Sequence, residues 1–290
     1  MRWANVMSEG GRRNAEGTRH AKAVLCMVLA SSFLLPPSSL VWAAHPFITD
    51  DAGTQGAGNW QLELMAQRDD HGHAAADGPV QLRGRLTLFN PVLTYGLRDN
   101  LDIALGLNYL RHRDSDIGFA TDSANGMADS SLELKWRFYD ENGFTMALKP
   151  GVSLPTGDEI KGLGSGKSSW GVNFIGGYEA KPWSFMGNVA YFRTRFKLPQ
   201  DVADNRSNLW RISAGAAYSM SEQLRFTGEL GVRTNEARND PFLPGRNAQF
   251  AMLGAIYSPT EKIDLDIGLR KGLNQAEADT VLLIGATFRW

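Results

Sequence analysis

Three groups of residues could in principle do chemistry. Residues 161–169 read KGLGSGKSS, which invites a phosphate-binding loop. That motif needs a glycine five places before Gly166, where this chain has Lys161, and it needs a strand before and a helix after. The following SWGVNFIGGY instead alternates like a strand, so 155–168 is expected to be an external hairpin loop. His71 and His73 flank a glycine beside Asp69 and Asp70 and could gather a metal, but such a run serves equally as a solvated loop. No metal and no cofactor is assigned. A serine hydrolase would need serine and histidine on adjacent strands. Beyond the N-terminal 44 residues the histidines are His45, His71, His73 and His112, and no serine pattern pairs with His112. No catalytic residues are assigned, and the chain is not expected to be an enzyme.

The third group is larger. Charged residues recur at every second position of otherwise apolar segments. Glu133, Lys135, Arg137, Arg211, Arg225, Glu229, Arg233, Asp264, Asp266 and Arg270 all fall on one parity. Glu63, Arg83, Arg85, Asp102, Asp129, Lys149 and Arg289 are assigned to the same face. Two readings fit this interleaving of signs. The residues could line a path for a polar or weakly charged solute, or they could be an ion-paired network filling a narrow interior.

Period-two alternation defines the elements that must carry these residues. LDIALGLNYL sets Leu101, Ile103, Leu105, Leu107 and Tyr109 against Asp102, Ala104, Gly106 and Asn108. Twelve segments of this kind occur, at 59–68, 82–97, 101–111, 127–139, 144–154, 169–179, 183–196, 208–218, 224–234, 248–257, 263–271 and 280–290. About ten residues is the length of a tilted strand crossing a bilayer. The second segment changes parity near Asn90-Pro91, which predicts a bulge, and Pro150 removes a ladder donor inside the fifth. Short turn-rich connections alternate strictly with long polar ones. Tyrosines and tryptophans (Trp60, Tyr109, Trp136, Trp170, Trp183, Trp210, Tyr257 among them) sit near the segment ends. A β-sandwich would alternate too, but it would not need the loop asymmetry or the aromatic girdles. The expected fold is all-β: a transmembrane antiparallel up-and-down barrel of 12 strands over 59–290, with short periplasmic turns and longer external loops.

Residues 1–44 read as a cleaved secretory signal, with a basic stretch, an apolar run over AVLCMVLASSFLL and a small-residue exit. They hold five of the 30 basic and two of the 31 acidic residues, so the remainder carries 25 basic and 29 acidic, a net charge of −4. The single cysteine, Cys26, lies in this segment, so no disulfide is expected after cleavage. Nothing points to nucleic acid. Residues 45–58 read as a periplasmic lead-in, either disordered, capping the barrel or folding into its mouth with Asp50 and Asp51 near basic lumen residues.

HPFITDDAGTQGAGNWQLEL, MADSSLELKWRFYDENG and LPTGDEIKGLGSGKSSWG resemble the MetA-pathway of phenol degradation family. The resemblance implies an outer-membrane barrel that transports small organic solutes, with aromatic ones among the candidates; it supplies no ligand residues. The closing LLIGATFRW is similar to the C-terminal signal read by the barrel-assembly machinery, with Gly285, Phe288 and Trp290 in the expected spacing. Expected partners are therefore outer-membrane lipid, that machinery and a small organic solute. A plugged structural barrel without transport, and more distantly an outer-membrane hydrolase, remain as alternatives.

Overall fold

The computed structural model describes residues 46–74, 81–116, 122–238 and 247–290. Residues 1–44, expected to be a secretory signal, and His45 lie outside the described residues. The strands are β1 (Trp60–Ala74), β2 (Gln81–Arg98), β3 (Leu101–Gly106 continuing as Tyr109–Asp116), β4 (Asp122–Met127 continuing as Ser130–Glu141), β5 (Phe144–Leu154), β6 (Ser169–Ala180), β7 (Trp183–Arg193), β8 (Asn208–Ser219), β9 (Leu224–Thr234), β10 (Asn247–Thr260), β11 (Ile263–Gly272) and β12 (Thr280–Arg289). Each pairs antiparallel with its sequence neighbours, and β1 pairs with both β2 and β12, closing a 12-stranded barrel. At the seam, the amides of Trp60 and Trp290 each donate to the other's carbonyl, at 2.9 and 3.1 Å. Closure leaves no free edge across the central span of the sheet, the condition for strands to sit in lipid; beyond it, Asp122–Met127 of β4 is paired on one side only.

Alternation sorts the faces as expected. On β12, Leu282, Ile284 and Phe288 are exposed outward, while Val281, Leu283 and Thr287 are buried inside. Aromatics mark both ends of the apolar exterior: Trp60 packs on Tyr95 and Trp290, and Trp183 on Tyr218, at the short-turn end. Tyr191 packs on Trp170 and Trp210 at the other.

Two expectations are corrected. The Asn90-Pro91 step carries no bulge: β2 keeps one register with β1 from Trp60↔Tyr95 to Ala74↔Gln81. The irregularity falls on the partner, where β3 breaks at Leu107–Asn108, and the Asn90 carboxamide fills the gap by donating to Leu107 O and Asn108 Oδ1. Leu88 therefore faces the interior and Arg85 the exterior, the reverse of the expected assignment. At Pro150, pairing to β6 persists through Val172, but pairing to β4 stops at Glu133↔Gly151 and resumes at Trp136↔Leu148. The missing proline N–H is absorbed as a local gap in one ladder.

Candidate functional site: a partitioned lumen

The interior is occupied from below by the lead-in. Residues 46–58 leave the short-turn end of β1, pass the β2–β3 turn and cross to the β8–β11 wall. The Gln55 amide donates to the Asp102 carboxylate and the Thr54 hydroxyl to Asp99 O. Asp50 receives Lys135 Nζ at 2.9 Å and Lys149 Nζ at 2.7 Å, and Asn188 brackets the Asp50 backbone through both its amide and its carbonyl. The Ile48 and Thr49 amides donate to Glu229, and the Thr49 hydroxyl contacts Ser213 and Glu229. Phe47 joins a buried cluster with Ala217, Met252, Ala278, Val281 and Leu283.

Glycines make room for this crossing. A Cβ on Gly96 would stand 1.8 Å from Gly56 O, and one on Gly215 would stand 2.8 Å from the Phe47 ring. The segment expected to be either disordered or lodged at the mouth is thus bonded deep in the lumen, because it satisfies carboxylates and ammoniums that the strands leave facing inward. Burial alone would raise the Asp50 carboxyl, but Lys135 and Lys149 more than reverse it and hold it well below the usual carboxylate range. Burial pushes the Asp51 carboxyl upward, and the nearby Lys135 ammonium offsets this only in part.

Above the lead-in lies a cavity of about 980 Å³ on the long-loop side, floored by Phe47, Ile48 and Asp50. Leu88, Val92, Phe192, Phe196 and Leu209 supply its apolar lining, and Glu63, Glu133, Lys149, Asn173 and Arg211 its polar lining. A second cavity of about 50 Å³ sits among Asp50, Asp51, Gln55, Asp102 and Lys135. Asp50, Glu63, Val92, Glu133 and Lys149 line both, so the Asp50 clamp separates the two.

The expected path residues separate into four groups. Glu133 and Lys135 belong to the Asp50 clamp, with Lys149 bridging Glu133 at 2.9 Å. Arg137 stands at the short-turn mouth, paired with Asp140 and donating to Asp99 O. Arg225, Glu229, Arg233, Asp264, Asp266 and Arg270 lie on the filled β9–β11 wall. Asp264 pairs with Arg289 at 2.8 Å and faces Arg225 at 3.6 Å. Glu277, from the β11–β12 loop folded into the barrel, receives Arg233 through two bonds of 2.8 and 3.0 Å and faces Arg270 at 3.8 Å. Arg211 stands apart. It lines the large cavity, its guanidinium lies 5.6 Å from the Phe192 ring centre, and among the described residues no carboxylate pairs with it.

The 155–168 loop is built rather than loose. Asp129 accepts from the Gly157 and Ser165 amides and the Ser165 hydroxyl. Thr156 accepts from the Ser130 amide and donates to Ala128 O. The loop thus forms part of the cavity roof through Gly162, Leu163 and Gly164. His71 and His73, expected on a loop, lie within β1, and their side chains fall outside the described residues. Asp69 is buried and Asp70 exposed on opposite faces, so these two carboxylates do not converge.

At the closing strand, Gly285 has a purpose that motif reading missed. A Cβ there would stand 2.3 Å from the Asp266 carboxylate, so the glycine makes space for a buried acid. Phe288 faces outward and Trp290 stacks on Trp60. The lead-in and the Glu277 loop carry no periodicity that could have announced their position.

A closed 12-stranded barrel with an apolar, aromatic-banded exterior and a polar, partly filled lumen has the fold of the outer-membrane barrels. The family model described as "Putative MetA-pathway of phenol degradation" matches residues 43–290, and the chain belongs to that family. No curated protein matches it. Among solved structures it is similar to the COG4313 outer membrane channel from Pseudomonas putida F1, with TM-score 0.60, 14% identity, and coverage of 83% of this chain and 98% of that one. It is also similar to the translocator domain of the autotransporter NalP from Neisseria meningitidis, with TM-score 0.51, 15% identity, and coverage of 81% and 89%. For the NanC porin the figures are 0.51, 12%, 78% and 98%.

Proposed function

We propose that this protein is an outer-membrane channel for small organic solutes, with the 980 Å³ cavity as its receiving chamber and the lead-in as its internal gate. The observation that carries this reading is the form of the blockage. The wall itself leaves a chamber open to the long-loop side, and what closes its floor is one segment, residues 46–58, held by side-chain bonds rather than by strand pairing. Such a segment can shift without breaking the barrel. Phe47, Phe192 and Phe196 beside Arg211 and Lys149 suit a compact solute with an apolar or aromatic body and a polar group. Family membership and the likeness to outer-membrane barrels support the location. In this reading residues 1–44 direct export and are cleaved, the short turns face the periplasm and the closing strand is recognised by the assembly machinery.

The chamber, open on one side, also favours transport over the plugged structural barrel. Liposome swelling with aromatic acids, phenols and sugars tests this. Solute-dependent swelling that increases when Asp50 is replaced by Asn supports a gated channel. No swelling with any solute, for either protein, leaves the plugged barrel.

A further inference from the structure

The strand register places an unusual set of side chains on the outside of the barrel. Ala66, Phe89, Tyr109 and Met127 form one row across β1–β4. Phe89, Tyr109 and Met127 are exposed there, so this row belongs to the lipid-facing exterior. Two residues further toward the long-loop end, the same four strands present Arg68, Thr87, Arg111 and Asn125. Two further again they present Asp70, Arg85, Arg113 and Ser123, and the row continues around the seam through Thr280 to Lys271.

These are outward positions. The Tyr109 hydroxyl accepts from the Asn125 carboxamide on the exterior, while His112, between Arg111 and Arg113, points inward beside Gly162 of the cavity roof. Four arginines, Arg68, Arg85, Arg111 and Arg113, thus cluster beside Asp70 on three neighbouring strands, immediately above an apolar and aromatic row. Asp70 takes Arg68 Nε at 3.2 Å and Arg85 Nε at 2.9 Å. Both arginines remain half exposed, and Arg111 and Arg113 have no ion pair among the described residues.

Rows in a sheet are about 7 Å apart along the strand and strands about 4.8 Å apart across it. The guanidinium groups therefore ring an area the size of a lipid headgroup. A solvated surface would gain nothing from four arginines gathered so closely, since they repel one another. Guanidinium forks match phosphate oxygens in pairs, and a cationic row just beyond an aromatic one stands at headgroup depth.

We propose that this patch binds the phosphate groups of a phosphorylated glycolipid of the outer leaflet, fixing the β1–β4 wall in the membrane surface. This rests on the outer-membrane reading above, with the long loops facing out. The test uses the full mature barrel reconstituted in phosphatidylethanolamine vesicles containing lipid A, fully dephosphorylated lipid A or phosphatidylglycerol. Lipid that stays with the protein after re-solubilisation in rising salt is quantified by mass spectrometry. Lipid A should be retained in preference to both comparison lipids. The R68Q/R85Q/R111Q/R113Q variant, checked for heat-modifiable migration, should retain on the order of tenfold less. The milder R111Q/R113Q pair, which leaves the Asp70 pairs intact, should fall in between. Equal retention by wild type and variants would overturn the proposal, as would equal retention of the dephosphorylated lipid or of phosphatidylglycerol. Swelling measured on the same vesicles reads transport separately, so loss of the channel reading and loss of the lipid site are distinguishable.

Discussion

At the scale of single residues, the lumen charges divide by what they touch. Arg225 is buried beside Asp264, so its removal strips a partner from a carboxylate that water cannot reach. Because Asp264 keeps Arg289 at 2.8 Å, Arg225→Ala should lower stability by only about 1 kcal/mol and leave ion selectivity unchanged, read as a lower temperature for the heat-modifiable gel shift. Arg211→Gln should do the opposite. It removes an unpaired cation from the cavity wall, shifting planar-bilayer reversal potentials toward cations with little loss of stability. Asp50 sets the acid limit of the proposed gate. Its folded carboxyl lies below its unfolded value, so its contribution is complete above about pH 4 and is lost only as pH falls through the lower folded value. Asp51 shifts upward and takes its proton first, which relieves rather than adds buried charge. Conductance of the wild type should therefore not rise between pH 7 and 4.5, whereas Asp50→Asn should conduct more at both. A rise in the wild type across that interval would contradict the clamp.

At the scale of elements, the lead-in and the closing strand bear different loads. Gly96 lies under the Gly56 carbonyl where the lead-in turns into the barrel, and backbone rather than a mobile side chain would meet a Cβ there. Gly96→Ala should displace the turn and raise basal conductance while the barrel still assembles, because β2 keeps its ladders with β1 and β3. Trp290 closes the seam through backbone bonds and its stack on Trp60. Deleting it should reduce the folded fraction in outer-membrane preparations more than it changes transport by the barrels that form. The strands themselves were legible in the sequence: their number, their short turns and the outward faces of β4 and of β8–β12 follow from alternation alone. β2 was misread above Asn90 because apolar residues face both ways there. Leu88 lines a cavity instead of meeting lipid, and alternation cannot tell one apolar surface from another.

For the whole molecule, removing residues 46–58 should raise single-channel conductance several-fold, since the two cavities then join around the lost Asp50 clamp. Some stability should go with it, because Phe47 is part of the buried cluster. Membrane insertion and heat-modifiable migration should survive, as neither depends on the lead-in. The sequence by itself determined the closed 12-stranded barrel, the polarity of its faces outside β2 and the asymmetry of its ends, because each of these is written in a local period or a local loop length. Only the tertiary structure decided what fills the lumen and which charges meet. Thr49 reaches Glu229 across 180 positions and Asp50 reaches Lys149 across 99. Pairings that distant depend on barrel closure, which brings the lead-in beside strands that no pattern in its own residues could have named.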